Sequence, residues 1–148
     1  MSRGLFLVLC THNSCRSQMA EAFLRSRLGE RMSVASAGTE PGDAVDPLTV
    51  EVMAEKGLDL RDHRPSHYRE FLGKAAVHTV AIVCDRAGAT CPTTWPGALR
   101  RIESPFDDPA AVRGSREERL AAFRAVRDAI DARTAEWVAE LEGLGVVG

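Results

Sequence analysis

The chain alternates short, unbroken apolar runs with longer segments whose apolar residues recur every three or four positions. GLFLVL (4–9) is apolar without interruption, as a strand buried on both faces requires, and it ends at Cys10. From 16 to 28, Met19, Ala20, Phe23, Leu24 and Leu28 share a helical face, and Gly29 predicts the stop. MSVASAGT (32–39) reads as a second strand entering a turn. VDPLTVEVMAEKGLDL predicts a helix with Asp46 as N-cap, Pro47 in its first position and Gly57 at its end. VHTVAIVC (77–84) is a third buried strand that also ends at a cysteine, and RRIESP (100–105) is a short fourth. Ser115 and Glu118 form a capping box. Behind it Leu120, Phe123, Val126, Ile130, Trp137 and Leu141 line one face of a long final helix.

Strands alternating with helices imply an α/β fold. The expectation is a single domain over 1–148, a three-layer sandwich with a mainly parallel four-stranded sheet and helices on both faces. Such sheets bind ligands beyond the carboxyl ends of their strands. Cys10 and Cys84 both stand at such ends, so they are expected to face one site despite their separation in sequence.

Composition narrows the function. A length of 148 residues, 45% apolar and 27% charged, supports one folded core. A formal net charge of −2 argues against a nucleic-acid partner. No apolar stretch approaches the roughly 20 residues that span a bilayer, and the N-terminal run is too short for a signal peptide. The expected compartment is the cytoplasm, where four cysteines favour catalytic, redox or metal roles over structural disulfides.

Cys10 and Arg16 bracket five residues between an apolar strand and an amphipathic helix. A loop there gathers unpaired backbone N–H groups beneath the positive end of the helix dipole, and such a nest binds a tetrahedral oxyanion. Thr11, His12, Asn13, Ser14, Cys15, Arg16 and Ser17 would supply that cradle. Arg16 offers a fork that grips two oxygens. Cys10, in the same field, would be a thiolate aimed at the central atom. The loop has no glycine, and Asn13 is the residue best suited to a left-handed turn. By spacing alone, a buried cysteine beside a surface arginine is an equal reading; placement between strand and helix favours the nest. In SPFDDPAAV, Asp107 and Asp108 are either a solvated turn or a proton source for a leaving oxygen.

VLCTHNSCRSQMAEAF (8–23) resembles the phosphate loop of the low-molecular-weight protein tyrosine phosphatase superfamily, and within it that of the thioredoxin-coupled arsenate reductases. The likeness continues through SAGT (36–39), VDPLTVEVMAEKGLDLRDHRPS (45–66), IVCDRAGATCP (82–92) and FDDPA (106–110). It implies Cys10 as nucleophile, Arg16 as oxyanion clamp, and Asn13, Ser17 and Ser36 as supports of loop and thiolate. It makes Asp108 the general acid, with Asp107 the fallback. The implied reaction is reduction of arsenate to arsenite through a Cys10 adduct and a Cys10, Cys84, Cys91 disulfide relay, regenerated by thioredoxin or by a small thiol with glutaredoxin. No metal or organic cofactor is implied, and phosphate or sulfate would compete for the loop. His12 departs from the glycine of many relatives, which bears on anion access and on any accessory cation site near Asn13.

Geometry conditions the relay. Seven helical residues rise about 10.5 Å, whereas disulfide Cα atoms lie within about 7 Å. A helical 84–91 segment would therefore unwind to join Cys84 to Cys91, and Gly88 and Thr90 make that inexpensive. His63 and His67 are spaced as a helical metal pair, but Pro65 between them argues for structural roles. Cys15 reads as structural. In tyrosine phosphatases of the superfamily aromatic residues follow the Asp-Pro pair; here Ala110 and Ala111 follow it, and the lone Tyr68 suggests no substrate lip. Two rivals stand: a phosphatase for phosphotyrosine or small phosphate esters, which needs neither Cys84 nor Cys91, and a non-catalytic redox or oxyanion sensor.

Overall fold

The computed structural model describes residues 4–84 and 95–148. Four strands, β1 (Leu5–Cys10), β2 (Ser33–Gly38), β3 (Val77–Ile82) and β4 (Arg100–Glu103), form one sheet in the order β2-β1-β3-β4. Every ladder is parallel. Three α-helices follow in chain order: α1 (Arg16–Leu28), α2 (Pro47–Ala54) and α3 (Arg116–Gly143). This is the expected sandwich of a four-stranded parallel sheet and helices. Every residue of β1 is buried, and in β3 only His78 is partly exposed, so both faces of the central strands are covered. Among the described residues no helix is long and apolar enough to cross a membrane.

The predicted boundaries hold because local chemistry sets them. Asp46 caps α2 by accepting from the Leu48 N–H at 2.9 Å, with Pro47 next. Gly57, at φ 76°, takes the left-handed turn that ends this segment. Ser115 and Glu118 close the expected capping box at α3. Trp137 of α3 stacks on Phe6 of β1 with ring centroids 5.9 Å apart, a contact worth about 0.5–1.5 kcal/mol beyond its buried area.

Two details differ from expectation. β3 stops at Ile82, before Cys84, although the Val83 N–H still bonds the Leu9 carbonyl at 3.0 Å. The face of α3 also buries Arg127, which an apolar pattern does not reveal. Its guanidinium meets the Val52 carbonyl at 2.9 Å and Glu55 at 2.6 Å, fastening α3 to α2.

The strand order has a consequence for the site. From β1 the chain goes to β2 on one side, and β3 lies on the other. The carboxyl ends of β1 and β3 therefore flank a topological switch point, where open α/β sheets bind ligands. The loop 11–15 leaves β1 there and enters α1.

Candidate active site

The loop is held from outside by its carbonyls. Those of Cys10, Thr11, His12 and Ser14 accept from the N–H groups of Thr39 (3.3 Å), Glu40 (2.9 Å), Gly42 (3.0 Å) and Asp46 (2.9 Å). That of Asn13 accepts from Gln18 Nε2 at 3.1 Å. In a planar trans peptide the N–H points opposite to the preceding C=O. With five consecutive carbonyls tied outward, the N–H groups of residues 11 to 15 turn the other way, toward the concave side. That is the geometry of an anion-binding nest at a helix N-terminus.

Asn13 makes the turn possible. It is the only described non-glycine residue with positive φ, at 53°. Its amide reaches Ser17 Oγ at 2.7 Å and Ser36 Oγ at 2.9 Å, and its Oδ1 accepts from the Ser66 N–H at 2.8 Å. The loop also lies tight against β2. A Cβ on Gly38 would meet the Thr11 carbonyl oxygen at 2.4 Å, so only glycine fits there.

Cys10 ends β1 and is buried, as are Asn13, Arg16 and Ser17. Arg16 opens α1. Its Nη1 donates to the Phe106 carbonyl at 3.0 Å, and its Nη2 lies 3.8 Å from Asp108 Oδ2. The clamp thus ties the loop to the segment after β4. Asp108 is partly buried against it, whereas Asp107 is exposed, so the geometry selects Asp108 of the two. The other Asp108 oxygen accepts from the Ala110 N–H at 3.0 Å and caps the 3-10 turn Pro109–Ala111.

Neither Cys15 nor Cys10 is in a disulfide. Burial pushes Cys15 up to about 12, so it stays protonated and inert at neutral pH. With iodoacetamide at neutral pH, Cys10 is expected to label first, sulfate to slow it, and Cys15 to react only on unfolding. Peptide mass analysis reads this directly. Labelling of Cys10 that is slow and indifferent to sulfate contradicts the nest.

Cys84 is buried, and its Sγ lies 3.9 Å from the Leu9 carbonyl, one residue from Cys10. It is disulfide-bonded. Cys91 and the 84–91 unwinding expectation fall outside the described residues. The structure therefore brings Cys10, Arg16, Ser17, Ser36, Cys84 and Asp108 to the same end of the sheet.

The histidines have separate tasks. His12 is exposed and its Nδ1 donates to the Glu40 carbonyl at 3.0 Å. His67 caps the 3-10 turn Tyr68–Glu70 and stacks on Tyr68, which meets Trp95 edge-on at 6.3 Å. His63 Nδ1 donates to Gln18 Oε1 at 3.1 Å. Gln18, Glu21, Arg25 and His63 form a polar layer behind the loop that pattern reading misses. Ser36 donates to Glu21 at 2.6 Å, and Arg25 Nε pairs with Glu21 at 3.2 Å.

The sequence matches the family model of the low molecular weight phosphotyrosine protein phosphatases over residues 6–144. It is 41% identical over 134 residues to the arsenate reductase of Halalkalibacterium halodurans, covering 90% of this chain and 94% of that one. It is 38% identical over 138 residues to the arsenate reductase of Bacillus subtilis, covering 93% and 96%. Among solved structures, an arsenate reductase in the phosphate binding state superposes with a TM-score of 0.77 at 26% identity, covering 95% of this chain and 98% of that one.

Proposed function

Because the chain belongs to the low molecular weight phosphotyrosine protein phosphatase family, with arsenate reductases as its near relatives, we propose that it reduces arsenate to arsenite. The observation that carries the reading is the loop with five outward-tied carbonyls, closed by a buried Arg16 and flanked by both Cys10 and Cys84.

In this reading arsenate lies in the nest, held by backbone N–H groups and the Arg16 fork, with phosphate or sulfate as competitors. Cys10 thiolate attacks arsenic, and Asp108 gives a proton to the departing hydroxide, which leaves as water. Cys84 thiolate then attacks Cys10 Sγ. The Cys10–As bond breaks, its electron pair stays on arsenic, and As(V) departs as As(III). Cys91 thiolate attacks Cys84 Sγ and frees Cys10. A dithiol reductant of the thioredoxin type supplies two electrons to the resulting Cys84–Cys91 disulfide. Reduction by a thioredoxin suits the cytoplasm, where such donors are kept reduced.

A phosphatase would use Cys10, Arg16 and Asp108 alike, and a sensor would need no acid. The buried sulfur of Cys84 beside the end of β1 favours the reductase. The test is arsenite production from arsenate with thioredoxin, thioredoxin reductase and NADPH, beside hydrolysis of a phosphotyrosine analogue. Reductant-dependent arsenite formation is expected. Rapid ester hydrolysis with no arsenite would assign the phosphatase instead.

A further inference from the structure

Of the loop residues 11–15 only His12 is exposed; Asn13 and Cys15 are buried, and Thr11 and Ser14 partly so. Both the main chain and the ring of His12 grip the 39–46 segment. The His12 carbonyl accepts from the Gly42 N–H at 3.0 Å, and Nδ1 lies 3.0 Å from the Glu40 carbonyl. The Glu40 N–H in turn holds the Thr11 carbonyl at 2.9 Å. A carbonyl oxygen only accepts, so Nδ1 carries a hydrogen in either protonation state of the ring. The neutral ring is therefore the Nδ1–H tautomer, with a lone pair on Nε2. A second proton adds at Nε2 and leaves the bond to Glu40 in place. The ring thus gains a whole charge while its position stays fixed.

Covalent reach alone keeps that charge near the nest. The ring stays within about 6 Å of its own main-chain N–H. That N–H follows a carbonyl tied outward, so it faces the concave side. An oxyanion accepting from it lies within about 10 Å of the imidazolium, one Debye length at about 0.1 M salt. We propose that the His12 side chain sets the pH dependence of oxyanion affinity: protonated at Nε2 and held at Nδ1 by the Glu40 carbonyl, it is a cation on the rim of the loop that tightens binding as pH falls. This rests on the reading of residues 11–15 as an oxyanion cradle. Arg16 and the positive end of α1 oppose the second proton. Glu40, Asp43 and Asp46 on the 39–46 segment favour it, as do a Cys10 thiolate and Asp108, which itself faces Arg16 at 3.8 Å. All of these stay in place when residue 12 alone is replaced.

His12→Asn keeps an amide donor where Nδ1 stands and takes no charge. Sulfate is the probe, because it stays a dianion between about pH 5 and 8, the span in which histidine titrates. Sulfate titrations followed by NMR give the dissociation constant and the His12 midpoint together, with circular dichroism to check the fold. Wild type and His12→Asn should agree at about pH 8. Between there and about pH 5, at low salt, the wild-type constant should fall about threefold to fivefold more than that of the variant. In about 1 M NaCl, where the Debye length is about 3 Å, the excess should vanish. A merely structural hold by the ring would produce neither the pH excess nor its loss in salt. Linkage gives a second measurement that needs no variant: saturating sulfate should raise the wild-type His12 midpoint by about 0.5 on the pH scale. If His12→Asn does not fold, that measurement decides by itself. Parallel pH profiles for wild type and folded variant, or a His12 midpoint indifferent to bound sulfate, overturn the role of His12 and leave the cradle standing. If sulfate binds neither protein at any pH, the cradle reading falls and the role of His12 falls with it, so the two failures are distinguishable.

Discussion

Replacing Arg16 by Lys is expected to cut arsenate turnover about 100-fold, the scale of losing one transition-state donor, with the fold retained. The loss follows from geometry and not from charge, which lysine preserves. In the structure one guanidinium nitrogen holds the Phe106 carbonyl at 3.0 Å while another faces Asp108 at 3.8 Å. A planar fork can keep that grip on the 104–110 segment and still present N–H groups to an oxyanion. An ammonium on a flexible stem is a point charge without such a fork. It can satisfy the Phe106 carbonyl or the anion, with poorer alignment for both. The defect should therefore appear in the chemical step as well as in binding, with kcat falling more than KM rises if the clamp tightens on the transition state. Steady-state arsenite formation by wild type and variant, at matched circular dichroism, measures it. Near-normal turnover in a folded Arg16→Lys protein removes Arg16 from the reacting centre.

How much of the fold and the site is legible in the sequence depends on what kind of force sets each feature. The strands and helices are readable because periodicity, the Asp46-Pro47 start and the Ser115/Glu118 box are local. Cys10 and Arg16 are readable because a strand-to-helix junction places them in one field. The holding of the loop is not. Residues 39–46 carry no regular structure, yet their N–H groups orient the loop carbonyls, and backbone donors leave no mark on residue type. Gly38 stands out only as part of SAGT, and its reason is a close approach to Thr11 that only three dimensions show. The polar layer is hidden by a familiar assumption, that the polar side of an amphipathic helix faces water. In α1 every residue from Arg16 to Leu24 is buried. One signal was available: between Arg16 and Arg25 the helix carries a single charge, Glu21. A helix that is nearly uncharged on all sides is a buried one, and its one carboxylate then needs partners.

Cys84→Ser and Cys91→Ser should separate the reductase from a phosphatase, because they interrupt a relay at two different points. In Cys84→Ser the described residues leave only Cys15 as a further thiol, and burial holds it protonated, its pKa pushed up to about 12, so it does not attack the Cys10 adduct. Arsenate should bind and turnover should cease. In Cys91→Ser the attack by Cys84 still occurs, so one equivalent of arsenite should appear and then stop, with Cys10 and Cys84 joined. This requires the two sulfurs to meet. Both residues are buried at the same end of the sheet, and Val83 still pairs with Leu9 by a 3.0 Å hydrogen bond, which brings the main chains into register immediately before each cysteine. Hydrolysis of a phosphate ester needs only Cys10, Arg16 and Asp108, so any such activity should survive both changes. The decisive measurements are single-turnover arsenite yield and non-reducing peptide mapping of each variant. Cys91→Ser should give a Cys10–Cys84 peptide and wild type, after turnover without reductant, a Cys84–Cys91 peptide. If both serine variants turn over arsenate at the wild-type rate with thioredoxin, an external thiol resolves the adduct and the internal relay is wrong.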